Sequence, residues 1–183
     1  MGVWLLFIPI TRYSNCLLGG SMAKIIDGLV EYMTAARTVK LPWDVTQKGK
    51  SHLLDSLAAI VSGSTLKPGK LGLQHVRAQG GNPDCSVLGT SLKTTPMLAA
   101  FANGMSAHAD ETDDSNSQLH PGCAIVPAAL AIAESQNRNG EALLRAVILG
   151  YDIGFRFHQA FEPRSTSFGA ARSPNWTICS FAI

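Results

Sequence analysis

The sequence has little charge and few aromatic side chains. Asp, Glu, Lys and Arg together make up 15% of its 183 residues, aromatic residues make up 7%, and the formal net charge is +2. The 15 Lys and Arg residues occur singly rather than in blocks. Nucleic-acid-binding domains typically concentrate basic residues on one face, so the composition gives no support for a nucleic-acid partner.

Several chemical motifs are also missing. There is no GxGxxG segment after a predicted strand, no phosphate-binding loop and no HExxH pair, so no nucleotide cofactor is expected. The four cysteines lie far apart and form no CxxC pair, which is typical of reduced thiols in an intracellular protein. The apolar run at residues 3–10 is too short to span a bilayer and has no basic residue before it. We therefore expect a cytoplasmic protein that is not attached to a membrane.

Apolar residues, by contrast, are abundant. Hydrophobic residues make up 46% of the chain, and its length is that of one domain with its own core. Their spacing is helical over most of the chain, so a mainly α fold is predicted. The segment that starts at Pro42 carries Asp44 and Gln47 in the arrangement of a capping box, with Asp44 as the helix cap. Residues 85–88 are predicted to be extended, but one such piece is too little to build a sheet. Helices are predicted at residues 23–37, from 42 to near 63, at 71–78, from 95 to about 108, at 125–135 and at 141–161.

A polar cluster interrupts two apolar, alanine-rich runs between residues 102 and 127. It places four acids within five residues, in a chain where charge is scarce. Because a predicted helix ends on each side, we expect the cluster to lie where a rigid scaffold presents polar side chains. The acids are Asp110, Glu111, Asp113 and Asp114, and the histidines of the segment are His108 and His120.

His120 is the predicted acid/base residue of this cluster. It precedes a predicted helix, whose N-terminal dipole disfavours the cationic imidazole, whereas a nearby carboxylate favours it. The balance of the two effects would hold the pKa near neutral pH, which suits proton transfer.

Three other interpretations stay open from the residues alone. The segment could be an exposed loop in which the acids cap helices and His120 bonds to backbone. It could bind a divalent metal, although the spacing matches no metal motif and the EF-hand glycine and terminal Glu are missing. Cys123 could be a nucleophile beside His120, without a third group to orient it. The remaining histidines, which lie in helical patterns and are predicted to be surface or core residues, are His52, His75 and His158.

Several separate blocks of the chain resemble the MmgE/PrpD family. They come in the family's order, and the resemblance spans about residues 23–161. The agreement of several blocks makes the signal specific. The blocks are residues 102–110, the Asp113–Asp114 pair, residues 120–130 and residues 150–156, with residues 52–59 in the same style.

The resemblance implies a fold. Family members have a large helical domain built from both ends of the chain and a smaller α+β lid inserted between them. They are typically homodimers. This chain is predicted to be the N-terminal portion of the all-helical domain, with the lid absent. The predicted division is an extension at residues 1–21, the partial helical domain at 22–161 and a divergent tail at 162–183.

The resemblance also implies a chemistry. The family includes 2-methylcitrate dehydratase, cis-aconitate decarboxylase and iminodisuccinate epimerase, which act on small di- and tricarboxylic acids without a metal or organic cofactor. By resemblance, His120 and Asp110 are the catalytic residues, with His120 as the acid/base and Asp110 orienting it. Ser115, His108, Asp113 and Asp114 are the predicted substrate-binding residues.

The chain departs from the family after residue 161. The family's second histidine segment, and the substrate-binding lysines and tyrosine of the lid, have no match there, and His158 lies too early to take the histidine's place. We therefore expect a truncated or mis-spliced lyase that binds a carboxylic acid and forms a homodimer. The alternative is a catalytically inactive helical module that pairs with a full-length relative through its apolar surface.

Overall fold

The computed structural model describes residues 22–115 and 119–165, with side chains described for residues 25–115 and 119–157. The chain divides into two compact units, one up to Gln47 and one from Lys48 onward. The predicted extension at residues 1–21 and most of the predicted tail at 162–183 lie outside the described residues. The elements are α1 (Met22–Ala36), α2 (Trp43–Gly63), α3 (Lys67–Gln79), β1 (Cys85–Ser86), β2 (Lys93–Thr94), α4 (Pro96–Ala107), α5 (Gly122–Ser135) and α6 (Gly140–Ser165).

The prediction of a mainly helical chain is confirmed, because every helix predicted from the apolar spacing is found, with shifted ends. The helix α4 begins with Pro96 directly after Thr95, although the Thr95 side chain makes no capping hydrogen bond. The predicted cap at Asp44 is wrong, because α2 already begins at Trp43 and Asp44 lies inside its first turn. A carboxylate in that position still interacts favourably with the helix dipole.

The expectation that residues 85–88 would not build a sheet is also wrong. β1 pairs with β2 in antiparallel register, with Cys85 opposite Thr94. The chain reverses at Gly89, whose φ of +73° lies in the left-handed region that glycine adopts without strain. The second strand is only two residues long, so it has no alternating pattern that could reveal it in the sequence.

Two polar side chains, of which Asn103 is buried and Glu134 is partly buried, attach this hairpin to the helices. The Asn103 side chain accepts a hydrogen bond from the Leu88 N–H at 2.9 Å and donates to the Ser86 carbonyl at 3.0 Å. The Glu134 carboxylate accepts bonds from the Ser86 N–H at 2.8 Å and its hydroxyl at 2.7 Å. Burial, together with the nearby charges of Glu134 and Asp84, raises the pKa of the Cys85 thiol, which therefore stays protonated and donates to the Ala131 carbonyl.

In the second unit, α4 packs against α3 and α5, and α5 packs against α6. Small residues bring these helices close together. A side chain at Gly63, the last residue of α2, would collide with the Ser106 carbonyl of α4. The buried core beside the hairpin consists of Val76, Cys85, Val87, Ala99, Ala102 and Ala131.

Across residues 22–115 and 119–165, none of the helices combines the length and apolarity needed to cross a bilayer. Four helix segments meet at the polar cluster in this fold. They are the end of α4, the start of α5, the middle of α2 and the middle of α6.

Candidate active site

A single buried carboxylate lies between two histidines in the segment that joins α4 to α5. The Asp113 side chain has no solvent exposure, and its Oδ1 lies 3.0 Å from His108 Nδ1 and 3.4 Å from His120 Nδ1. The imidazole of His108 is 38% exposed and that of His120 is 19% exposed. The two rings meet edge to face with their centroids 5.0 Å apart. The carboxylate is therefore covered, and the two imidazoles form the accessible side of the group.

The ends of two helices position these histidines. His108 is the C-terminal cap of α4, with its backbone N–H bonded to the Gly104 carbonyl at 3.3 Å. His120 directly precedes Pro121, the N-terminal cap of α5. Between them the backbone turns at Glu111, whose φ of +56° is uncommon for a residue with a side chain. Because both helices are packed in the core, the geometry of the two imidazoles is set by rigid elements.

The neighbouring carboxylate, Asp114, faces a different set of partners. Its Oδ2 lies 2.9 Å from His52 Nδ1 on α2, and its Oδ1 accepts a hydrogen bond of 3.0 Å from the Gly122 N–H. That N–H belongs to the first residue of α5, so the helix dipole also stabilises the charged carboxylate. Asp114 thus ties the loop to α2 and to the start of α5.

A tyrosine and a serine complete this second group. Tyr151 on α6 is 1% exposed, and its ring lies 5.1 Å from that of His52. Burial, followed by the charge of the adjacent Asp114, raises the pKa of the Tyr151 phenol, so it remains a hydrogen-bond donor at neutral pH. A side chain at Gly122 would collide with the Asp114 carboxylate and with the hydroxyls of Ser56 and Tyr151. Only glycine fits where three polar groups converge on the helix start.

Asp110 does not occupy the place expected for it. It is exposed, and its Oδ1 accepts hydrogen bonds from the Thr112 hydroxyl at 2.8 Å and the Thr112 N–H at 3.4 Å. This local Asx-type turn turns the Asp110 carboxylate back onto its own loop. The expected contact between Asp110 and His120 is therefore replaced by that of Asp113 with His120. Whether Asp110 acts in catalysis stays a prediction.

The other predicted residues divide between two groups. The first consists of His108, Asp113 and His120, and the second consists of His52, Ser56, Asp114 and Tyr151. His108 and Asp113 lie together with His120, while Asp114 lies in the second group. Ser115 is exposed at the end of the described part of the loop. The Cys123 thiol donates to the His120 carbonyl at 3.1 Å, which is a local bond at the start of α5.

Sequence reasoning missed the second group. His52 was predicted to be a surface or core residue, and Ser56 and Tyr151 were given no role in the site. His52 and Ser56 are four residues apart on α2, a spacing that places them on one helix face, and this was the available signal. His75 is exposed, against the edge of Phe101, and the side chain of His158 lies outside the described residues.

The arrangement can hold and move a proton. An imidazole whose Nδ1 proton faces a carboxylate presents the lone pair of Nε2 as a base and is stabilised once it becomes cationic. At 3.4 Å, the contact of His120 with Asp113 is at the long end of the range for a hydrogen bond, as is often found for catalytic groups before a substrate is bound. The same three residues also carry ligand atoms within 4.8 Å of one another, the donor set of a metal site.

The sequence is similar to a protein family and to several known proteins. The family model described as the MmgE/PrpD N-terminal domain matches residues 27–180. The chain is 30% identical over 141 residues to the cis-aconitate decarboxylase-like protein oryM of Aspergillus oryzae, a match that covers 72% of the chain and 29% of the relative. It is 29% identical over 112 residues to human cis-aconitate decarboxylase, covering 60% and 23%, and 28% identical over 130 residues to the enzyme of Aspergillus terreus, covering 67% and 26%. The matched part of the chain corresponds to about a quarter of the length of these relatives.

Proposed function

The chain belongs to the MmgE/PrpD family, and from the geometry of its polar cluster we propose that it works as a lyase, a dehydratase or decarboxylase, on a small di- or tricarboxylic acid. The observation that carries the proposal is the buried Asp113 carboxylate shared by the imidazoles of His108 and His120. The names of the relatives, cis-aconitate decarboxylases, favour cis-aconitate as the first substrate to test.

In the proposed reaction His120 moves the proton. For decarboxylation, the C–C bond to one substrate carboxylate breaks, carbon dioxide leaves, and the electron pair that remains on carbon takes a proton from the His120 imidazolium. For dehydration, neutral His120 removes a proton next to a carboxylate, and the hydroxyl on the adjacent carbon leaves as water by taking that proton from the His120 imidazolium. Both steps build negative charge on the substrate, which a cationic imidazole stabilises. The proposed mechanism uses no metal or organic cofactor.

We assign the orientation of His120 to Asp113, because Asp113 is the carboxylate that contacts it. The half-exposed His108 and the exposed Ser115 are the proposed donors to a substrate carboxylate. Asp113 and Asp114 would repel such a group if they faced it directly. Their proposed contribution to substrate binding is therefore to hold His108 and the loop in place. Asp110, exposed on the same loop, keeps a proposed auxiliary role in the proton transfer.

The experiment is turnover by the purified chain in deuterium oxide. We expect cis-aconitate or 2-methylcitrate to be converted, with product followed by mass spectrometry. A decarboxylated product should carry one carbon-bound deuterium that the substrate lacks, because the proton comes from a group that exchanges with solvent. Failure to convert any such acid above the rate without protein would contradict the proposal.

A second candidate function is that of an inactive helical module which pairs with a full-length relative. Large apolar side chains on the surface of the second unit favour some covering partner, such as a second copy of the chain or a relative. Met97 is 79% exposed and Phe101 is 47% exposed, both on α4. A compact monomer in size-exclusion chromatography would argue against both kinds of pairing, and turnover would argue against inactivity. The proposal places either form in the cytoplasm.

A further inference from the structure

The histidine and carboxylate group has the dimensions of a metal site. The ligand atoms of His108, Asp113 and His120 all lie within 4.8 Å of one another, and the two contacts to Asp113 Oδ1 measure 3.0 and 3.4 Å. Tetrahedral Zn²⁺ with bonds of about 2.0–2.1 Å to nitrogen and oxygen holds neighbouring ligand atoms about 3.3 Å apart. Zinc can therefore enter with small movements of the side chains.

A second, independent observation also points to a cation. The other oxygen of the same carboxylate, Asp113 Oδ2, is fully buried and has no hydrogen-bond partner among the described residues. A buried carboxylate oxygen without a donor is costly, because that oxygen has lost its hydrogen bonds to water without a replacement. A cation bound to Asp113 offsets that cost directly.

We propose that His108, Asp113 and His120 bind a divalent transition-metal ion, with Zn²⁺ as the best match. Two imidazoles and one carboxylate suit zinc, whereas Mg²⁺ and Ca²⁺ prefer oxygen ligands alone. Three protein ligands leave a fourth position for water or a substrate carboxylate. The 38% exposure of the His108 side chain provides the path by which the ion enters.

Zinc bound in this way inhibits the proton transfer proposed above. An imidazole with zinc on Nδ1 keeps its proton on Nε2, so it can no longer act as a base. This inhibitory consequence rests on the proposed function, whereas the binding of the ion does not. Zinc binding without any turnover would therefore contradict the function and leave the metal site standing.

The test is calorimetric titration of Zn²⁺ into the metal-free, full 183-residue chain. We expect one ion per chain, with the affinity lowered at least about tenfold by Asp113→Asn or His108→Ala. The matched controls are His75→Gln, an exposed histidine outside the group, and Cys123→Ser, which removes the nearby thiol. Unchanged affinity in both site variants, or loss of affinity in either control, would overturn the proposal.

A measurement on the unmodified chain covers the case in which the site variants do not fold. Co²⁺ in a four-coordinate site of nitrogen and oxygen ligands gives intense visible bands without a thiolate charge-transfer band in the near ultraviolet. That spectrum, abolished by one equivalent of Zn²⁺, is the expected result. Either a thiolate band or a spectrum identical to that of hydrated Co²⁺ would contradict the assignment.

Discussion

Replacing His120 by Gln is expected to lower turnover of the carboxylic acid by roughly 10²–10⁴-fold, the usual contribution of a general acid or base. Gln fills a similar volume and can donate hydrogen bonds, but it cannot take up or release a proton at neutral pH. The substrate should still bind, so the loss should fall on kcat rather than on KM. Steady-state kinetics on the acid that the unmodified chain converts would measure both parameters.

The matched control for this variant is His75→Gln. His75 is an exposed histidine on α3 that contacts Phe101 and no member of the polar cluster. The His75→Gln variant should therefore retain the full rate of turnover. A His120→Gln variant that is folded and keeps more than about a tenth of the rate would remove His120 from the acid/base role.

Replacing Asp114 by Ala is expected to reduce the free energy of unfolding by about 3–5 kcal/mol, as found when one partner is removed from a buried ionic group. The carboxylate faces His52, the Gly122 N–H and the raised-pKa phenol of Tyr151. Truncation removes one acceptor from each of these donors and opens a small cavity between α2, α5 and α6. Urea unfolding followed by circular dichroism would give the difference.

Asp110→Ala is the matched comparison in the same loop. That carboxylate is exposed and bonds only to Thr112 among the described residues, so its removal should cost no more than about 0.5 kcal/mol. Similar losses in both variants would mean that Asp114 does not anchor the loop.

The helices could be predicted from the sequence because their apolar residues recur with a period near 3.6, even in α1, where several of them, such as Ile25 and Val30, are exposed. The run from Ile125 to Ser135, for instance, is apolar almost throughout and forms most of α5. The two-residue strands could not be predicted in this way, because their pairing depends on Asn103 and Glu134, which come from helices later in the chain.

The site could be predicted only in part. The polar loop and His120 stand out by composition, but four acids in five residues offer several partners for one histidine. The choice between Asp110 and Asp113 depends on a local bond, that of Asp110 to Thr112, which the spacing of acids does not reveal. His52 reaches Asp114 across 62 residues of sequence, so only the packing of α2 brings them together.

The measurement that tests the central claim most directly compares Asp113→Asn with Asp110→Asn in turnover of the same acid. If Asp113 holds His108 and His120 for proton transfer, Asp113→Asn should lose roughly 10²-fold or more in kcat, and Asp110→Asn should lose clearly less. Circular dichroism would confirm that both variants are folded. A larger loss in Asp110→Asn, with Asp113→Asn near the rate of the unmodified chain, would contradict the account.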